Sequence, residues 1–433
     1  MLVIFIVTLG LTNTARLIHD YVSLIMLGGA NHRITRGYIM IEKAIGFPEK
    51  PSLRPQDARF SSGPCKKYPG WDIKHLNLEQ LGRSHRAKQP KQRLSDAILR
   101  SHQLLKLPDD WKLAIVPGSD TGAFEMAMWS MLGARAVDAL VWDSFSADWA
   151  KDLETLGLPE LNVYKADYGD LPDLTQIKSD HDVVMVYNGT TSGVRVPHLD
   201  WLDSDRNGLV LCDATSAAFA MPIDFSKLDV VTWSWQKVLG SEGAHGMLAL
   251  SPKAIARLES YTPSRSLPKI FQLTKNQKLI EGLFSGATIN TPSMLAVEDL
   301  HAALDWADRI GGVESLWKRT QQNFDLLDQW VQQTAWIDWL ATSAETRSPS
   351  SMCLRIIDPE FNQLESEEQQ QAINLMLSWL AQENCALDIA NYRSAPAGFR
   401  IWGGATIETD DLMALTPWMD WAFDRFKQRN KVT

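Results

Sequence analysis

The chain of 433 residues has few cysteines, no excess of basic residues and no regular spacing of metal ligands. Its four cysteines show no paired spacing, so the sequence predicts neither a disulfide framework nor a zinc ribbon. The nine histidines form no H-E-x-x-H pattern, and we therefore expect no metal site. A net charge of −9 argues against general binding of nucleic acids, because a binding protein must neutralise their phosphates with basic residues.

Long hydrophobic runs are also scarce. Residues 1–7 are apolar like the core of a signal peptide, but no basic residue precedes them and no A-x-A site follows. Arg16 interrupts this apolar stretch too early for a membrane span. Residues 1–39 therefore allow three interpretations: an uncleaved appendage, a weak targeting signal, or a start codon placed too early, with Met40 as the true first residue. We favour the third, and we expect a protein of the reducing cytoplasm with no membrane association.

Short apolar runs alternate with helical patterns from about residue 94 onward. The runs are 113–116, 139–142, 182–187, 209–212, 230–233 and 246–250. Continuous apolar strands separated by helices predict an α/β fold with a mainly parallel sheet covered on both faces. Beyond about residue 310, amphipathic helices and short strands predict a smaller α+β domain. We thus expect an extended arm at 40–59, a large domain at 60–310 and a small C-terminal domain at 311–433.

Two polar residues at the ends of apolar runs carry the strongest chemical signal. Asp213 ends one run, and Lys237 lies just beyond the next. In a parallel sheet both would lie at the carboxyl edge, where ligands bind. A lysine amine bonds covalently to the aldehyde of pyridoxal phosphate, and a carboxylate keeps its pyridine nitrogen protonated. A lone pair of this kind is more often a strand-end aspartate and a surface lysine, so the interpretation depends on the neighbouring motifs.

Three further motifs carry weaker signals. The loop 117–123, Pro-Gly-Ser-Asp-Thr-Gly-Ala, would suit a phosphate at a helix N-terminus, although a capped helix start has the same composition. It is neither a G-x-G-x-x-G nor a Walker A sequence, so no dinucleotide or ATP site is predicted. The turn 188–193 could contact a ring oxygen or a carboxylate, or could be an ordinary polar turn. Four cationic residues could bind substrate anions, although each alone is more often a solvated surface charge: His85, Arg86, Arg393 and Arg400.

In combination these motifs resemble the phosphoserine aminotransferases, which are class V, fold type I enzymes dependent on pyridoxal phosphate. The matching strings, in the family's order, are F-S-S-G-P at 60–64, S-H-R at 84–86, N-G-T at 188–190, Q-K at 236–237 and N-T-P at 290–292. The resemblance covers roughly residues 47–425. One departure concerns the aromatic residue that the family often stacks on the cofactor ring. Here Phe145 is our candidate, with Trp149 in reserve.

The resemblance implies a role for each matched residue. Lys237 would hold the cofactor covalently and move the proton between the substrate α-carbon and C4′ of the cofactor. Asp213 would pair with the pyridinium nitrogen, and Thr190 would contact the ring oxygen. The cofactor phosphate would be held by Asp120, Thr121 and Gln236, while Asn290 and Thr291 would reach the phosphate in the neighbouring subunit of a homodimer. The substrate anions would be bound by His85, Arg86, Arg393 and Arg400.

The resemblance also implies a reaction. L-Glutamate and 3-phosphohydroxypyruvate would give 2-oxoglutarate and O-phospho-L-serine in a ping-pong cycle, as a step of serine biosynthesis. A phosphorylated four-carbon keto acid of pyridoxine synthesis is a further possible acceptor. The alternatives are an alanine–glyoxylate aminotransferase, a cysteine desulfurase, which would need a reactive cysteine on a mobile loop, and a non-catalytic interaction protein on the same fold. Retention of Lys237, Asp213 and Gln236 argues against the last of these.

Overall fold

A computed structural model describes residues 48–432 of the chain. The expectations for residues 1–39 and for the first part of the arm lie outside the described residues. Within residues 48–432, no helix is both long enough and apolar enough to cross a membrane.

A seven-stranded sheet forms the centre of residues 60–310, the expected large domain. The strands up to residue 279 are β1 (Lys112–Pro117), β2 (Val137–Val141), β3 (Leu161–Lys165), β4 (Asp182–Val186), β5 (Asn188–Gly189), β6 (Val194–Arg195), β7 (Val210–Asp213), β8 (Val230–Ser234), β9 (His245–Leu250), β10 (Thr274–Lys275) and β11 (Lys278–Leu279). The order in the sheet is β1-β9-β8-β7-β4-β2-β3, and β9 is the strand that runs antiparallel to its neighbours. The pairs β5–β6 and β10–β11 form separate two-stranded ladders. The predicted mainly parallel α/β fold is confirmed.

The central strands are buried and mostly apolar, as expected where helices cover both faces of a parallel sheet. Every residue of β2, β4, β8 and β9 is buried. The helices are α1 (Lys88–Leu105), α2 (Ser119–Met131), α3 (Ser144–Thr155), α4 (Pro252–Ser260), α5 (Met294–Arg309), α6 (Val313–Gln333), α7 (Pro359–Asn362), α8 (Ser366–Gln382) and α9 (Thr409–Val432). Short 3-10 helices span Ile73–His75, Leu174–Gln176, Phe225–Lys227, Lys269–Phe271, Glu281–Ser285 and Ala344–Thr346.

A second, antiparallel sheet follows α6. Its strands, in spatial order, are β12 (Ile337–Trp339), β13 (Ser351–Ile356) and β14 (Gly398–Trp402). Helix α9 packs against both α6 and α8, and α8 also contacts β14. The expected boundary at residue 310 falls between the end of α5 and the start of α6.

The described part of the arm, residues 48–59, lies against this C-terminal unit. Trp418 Nε1 donates to the Leu53 carbonyl oxygen at 2.7 Å, and Trp421 Nε1 donates to the Pro48 carbonyl oxygen at 3.2 Å. The guanidinium carbon of Arg54 lies 4.9 Å from the centre of the Trp418 ring. Buried indoles of α9 thus satisfy their N–H groups on the extended backbone of the arm.

Candidate active site

The amine of Lys237 lies just beyond β8, at the carboxyl edge of the parallel strands. Its Nζ donates a hydrogen bond to the Ser62 carbonyl oxygen at 2.7 Å. Gly63 packs against the same amine, because a Cβ added to Gly63 would lie only 2.3 Å from Nζ. Burial lowers the pKa of the Lys237 amine. The neutral, nucleophilic form is therefore more accessible near neutral pH than in an exposed lysine.

The carboxylate of Asp213 ends β7 and is held from two sides. Its Oδ2 accepts from Trp149 Nε1 at 3.0 Å, and its Oδ1 accepts from the Thr215 backbone N–H at 2.9 Å. The Trp149 ring packs on Phe124 with the ring centroids 4.9 Å apart. Trp149 therefore orients the carboxylate. Phe145 remains the stacking candidate; its ring is partly buried, 5.7 Å from that of Tyr392.

Asp120 lies beside Asp213, in the first turn of α2. Its side chain is buried, and its Oδ1 has no hydrogen-bond partner among the described residues. Burial, together with the charge of Asp213, raises the pKa of Asp120 well above its usual range. The raised pKa favours the neutral form of Asp120, a state in which a carboxyl group can donate a hydrogen bond. Its predicted contact with the cofactor phosphate stays a prediction and requires this protonated form.

The loop before α2 brings the backbone close to the site. Gly118 has a φ of +85°, and the amides of Gly118 and Ser119 both donate to the Ala244 carbonyl oxygen at 3.2 Å. Thr121 is exposed at the helix N-terminus, where the helix dipole favours an anion. Gln236 adds a buried Oε1 without a partner in the described chain. Thr121 and Gln236 are therefore available to bind a phosphate, whereas the amides of Gly118 and Ser119 are already engaged by Ala244.

A hydroxyl network surrounds Thr190. Thr190 Oγ1 donates to Ser216 Oγ at 2.8 Å, and Asn188 Nδ2 donates to the same oxygen at 2.8 Å. Ser351 Oγ of β13 donates to the Thr190 carbonyl oxygen at 2.6 Å, so the C-terminal unit is joined directly to this edge of the site. The sequence motifs drew attention to Thr190 but not to Ser351, which lies 161 residues away in the chain.

The predicted anion-binding residues differ in exposure. Arg400, in β14, is partly buried, and its Nε has no partner among the described residues. His85 is buried, and this burial lowers its pKa. Arg86 and Arg393 are exposed. Arg393 borders a cavity of about 410 Å³ that also includes Ser144 of α3, next in the chain to Phe145.

Asn290 and Thr291 lie on the surface of the single chain, just before α5. Both are exposed, and Asn290 Nδ2 donates to the Thr291 carbonyl oxygen at 3.3 Å. The following Ser293 is fixed by a hydrogen bond from its backbone N–H to His245 Nε2 at 3.1 Å. The segment is thus anchored at Ser293, and the side chains of Asn290 and Thr291 are accessible to another molecule.

The cysteines are not placed for nucleophilic chemistry. All four are buried and unpaired. Burial raises the pKa of Cys65 and of Cys353 to about 12, and that of Cys385 to about 11. Burial also raises the pKa of Cys212. A thiol needs a low pKa and access to substrate to act as a nucleophile, so these residues do not supply the reactive cysteine of a desulfurase.

Comparison with known proteins agrees with this arrangement. The family model "Aminotransferase class-V" matches residues 154–396. The phosphoserine aminotransferase of Methanosarcina mazei is 52% identical over 379 residues, which are 87% of this chain and 100% of the relative.

Two solved structures illustrate the shared fold. A phosphoserine aminotransferase from Cytophaga hutchinsonii has a TM-score of 0.70 at 19% identity, covering 84% of this chain and 98% of its own. An alanine–glyoxylate aminotransferase from Nostoc sp. has a TM-score of 0.69 at 16% identity, covering 87% and 97%. The family match and the close relative together decide the family: the chain belongs to the class V aminotransferases and, among them, to the phosphoserine aminotransferases.

Proposed function

We propose that this protein uses pyridoxal phosphate to transfer the amino group of L-glutamate to 3-phosphohydroxypyruvate, giving 2-oxoglutarate and O-phospho-L-serine. The observation that carries the proposal is the placement of Lys237 and Asp213 at the ends of adjacent parallel strands, in a chain 52% identical to a phosphoserine aminotransferase. The same cleft is proposed to accept a phosphorylated four-carbon keto acid.

The residues present fit the cofactor. Several buried polar atoms around Lys237 have no partner among the described residues: Asp120 Oδ1, Asn188 Oδ1, Thr215 Oγ1 and Gln236 Oε1. Buried polar groups are normally satisfied, so a group of unsatisfied ones indicates a missing polar ligand. Lys237 would hold the aldehyde, Asp213 the pyridine nitrogen, Thr190 the ring oxygen, and Thr121 and Gln236 the phosphate, with Asp120 as a neutral donor. When bound, pyridoxal phosphate supplies the electron sink that stabilises negative charge at the substrate α-carbon.

Lys237 would have two roles in the glutamate half-reaction, and the keto-acid half-reaction would use them in the reverse order. Its amine, with a lowered pKa, would first serve as the covalent anchor. Once released by the incoming amino acid, Nζ would take the proton from the substrate α-carbon and deliver it on the other side of the transferred nitrogen. Asp213, oriented by Trp149 and Thr215, would pair with the pyridine nitrogen and keep a proton on it.

The substrates share a carboxylate next to the reacting carbon and a second, distal anion. Arg400 is proposed to bind the carboxylate, because it is partly buried and its Nε is free of protein partners. His85, Arg86 and Arg393 are proposed to bind the distal carboxylate or phosphate. Guanidinium groups suit both anions because they form paired hydrogen bonds with either. One cleft can therefore serve both halves of the ping-pong cycle.

We also infer a homodimer in which Asn290 and Thr291 complete the site of the neighbouring subunit. Their exposure on the single chain and the anchoring of Ser293 support this role. A cytoplasmic location is proposed from the four unpaired cysteines, since secreted proteins usually oxidise such residues to disulfides.

The direct test is product identification. The cofactor-loaded protein, given ¹⁵N-labelled L-glutamate and 3-phosphohydroxypyruvate, should form ¹⁵N-labelled O-phospho-L-serine detectable by mass spectrometry. Lys237→Ala should form none, whereas Lys275→Ala, at an exposed position in β10, should match the wild type. Labelled product from Lys237→Ala, or none from the wild type, would refute the proposal.

A further inference from the structure

A second cavity, of about 390 Å³, lies between the large domain and the C-terminal unit. Arg195 and Met221 line it from the large domain, and Trp317, Lys318 and Phe324 line it from α6. Arg347, from the loop before β13, completes the cationic part of the wall. None of the described residues that line this cavity is acidic, and none belongs to the proposed catalytic site.

Two arginines are held side by side in this wall. Arg195 Nε donates to the Arg347 carbonyl oxygen at 3.1 Å, and a β-bridge joins Val194 to Arg347. Among the described residues, only Arg347 of this pair has a carboxylate partner: its Nη1 lies 2.9 Å from Asp328 Oδ1. Arg195 has no carboxylate within ion-pair distance among the described residues, and burial lowers its pKa. Adjacent, partly desolvated cations of this kind are unfavourable unless an anion compensates them.

Two further donors of the lining residues lack an acceptor among the described residues, whereas the amide of Gln321 donates to Asp325. Trp317 Nε1 and Arg347 Nε are buried and have no hydrogen-bond partner in the described chain. Lys318, the next residue on α6, is exposed and adds a third positive charge. Buried N–H groups are rarely left unpaired, so a cluster of them together with unpaired cations indicates a bound group that only accepts hydrogen bonds.

We propose that this cavity binds a small organic oxyanion, a phosphate ester or a carboxylate, at a site separate from the catalytic cleft. Arg195, Arg347 and Trp317 Nε1 would bind the anionic group, and Lys318 would neutralise its remaining charge. Met221 and Phe324 provide apolar walls for the carbon part of the ligand. Because its walls come from both parts of the chain, the bound anion would connect the large domain to α6.

Tungstate, a strongly scattering phosphate analogue, locates such a site directly. Crystals of the cofactor-loaded protein soaked in tungstate should show an anomalous peak within hydrogen-bonding distance of Arg195 and Arg347. The peak should be absent from crystals of Lys318→Glu. No peak in the wild-type cavity, or a cavity filled by a side chain of a partner subunit, would overturn the proposal.

A solution experiment covers the possibility that a variant crystallises poorly. At constant ionic strength, inorganic phosphate or succinate should raise the Tm of the cofactor-loaded wild type. Lys318→Glu should weaken the apparent affinity by about tenfold or more, because a charged contact is replaced by a repulsive one. Lys275→Glu makes the same charge change at a remote exposed position and should behave as the wild type. A response to phosphate alone or succinate alone would assign the ligand class, whereas equal responses in all three proteins would contradict the proposal.

Discussion

Single residues of the cleft depend on their neighbours for their charge state. The pKa of Lys237 is lowered by burial, and the charge of Arg400 acts in the same direction. Asp213 is fixed by the Trp149 indole and a backbone amide, so it need not reorganise to meet a pyridinium. Preorganised groups of this kind contribute more to catalysis than the same groups in water.

Replacing Asp213 by Asn tests this arrangement. A neutral amide cannot keep the pyridine nitrogen protonated, so kcat should fall by at least about 100-fold, equivalent to about 2.7 kcal/mol in activation free energy. Asp200→Asn, at a largely exposed side chain, should retain full activity. Steady-state rates and circular dichroism of both variants would decide. A folded Asp213→Asn protein with nearly normal kcat would mean that another group holds the nitrogen.

The variant Asp120→Asn tests whether Asp120 is protonated in the folded protein. The raised pKa of Asp120 means that its stabilising contribution is complete at low pH and is lost as the pH rises through that pKa. An asparagine mimics the protonated carboxyl at every pH. The Tm of cofactor-free Asp120→Asn, compared with the cofactor-free wild type, should therefore improve as the pH rises from the unfolded-state pKa of Asp120 towards its higher folded-state pKa. A Tm difference that is constant, or that falls over this range, would show that Asp120 is ionised.

Sequence alone identified the residues whose position follows from the ends of strands. Asp213 and Lys237 could be placed because a parallel sheet brings its carboxyl ends to one edge. The contact of Lys237 with Ser62 could not be predicted from the sequence, because it joins positions 175 residues apart. Nor could the donor role of Trp149 be predicted, since it depends on how α3 packs against Phe124.

At the scale of elements, periodicity predicted the sheet but not its full topology. Buried strands are apolar throughout whether they run parallel or antiparallel, so the reversed direction of β9 has no signal in the sequence. The three-residue strand β12 is too short for its alternation to be recognised. The arm has no helix over its described part, 48–59, and its partners on α9 are more than 360 residues away, so the sequence could not predict these contacts.

The arm offers a test of stability at this scale. Glu383, just beyond α8, accepts from Lys50 Nζ at 2.6 Å and from Arg54 Nη2 at 2.8 Å. Burial acts to raise the pKa of Glu383, but the hydrogen bonds from these two cations outweigh it, and the net shift is downward. Glu383→Gln should cost about 0.5–1 kcal/mol of unfolding free energy at pH 7, a modest value because both cations are largely exposed.

The pH dependence of that cost follows from the lowered pKa of Glu383. Stability from a carboxylate of this kind is present above its unfolded-state pKa and is lost as the pH falls through its folded-state pKa. The difference between wild type and Glu383→Gln in urea unfolding should therefore disappear at acidic pH. Glu154→Gln, an exposed control, should show little effect at any pH. An equal cost for Glu383→Gln at acidic and neutral pH would contradict the ion-pair explanation.

At the scale of the whole molecule, the proposal that each active site contains residues of both subunits can be tested with mixed dimers. Lys237→Ala and the double variant Asn290→Ala, Thr291→Ala should each be nearly inactive. When they are unfolded together and refolded as a mixture, half of the dimers should be hybrids with one intact site. Activity should then recover to about a quarter of the wild-type value, because one of the two sites in each hybrid is complete. No recovery in refolded mixtures that contain hybrid dimers would place each site within one subunit.

The fold as a whole does not select the substrate. The phosphoserine aminotransferase and the alanine–glyoxylate aminotransferase match this chain with TM-scores of 0.70 and 0.69. Discrimination must therefore come from side chains in the cleft, and the cations proposed for the distal anion are the residues that could supply it. The substrate is thus the most informative property to measure.

The decisive measurement is the ratio of kcat/KM for 3-phosphohydroxypyruvate to that for pyruvate, with L-glutamate as the amino donor. We predict a ratio of at least about 30, because leaving the distal cations without their anion costs about 2–5 kcal/mol. Arg393→Ala should lower this ratio through the phosphorylated substrate while leaving pyruvate almost unaffected. A wild-type enzyme that uses pyruvate or glyoxylate as well as 3-phosphohydroxypyruvate would contradict the proposed function and favour an alanine–glyoxylate type of aminotransferase.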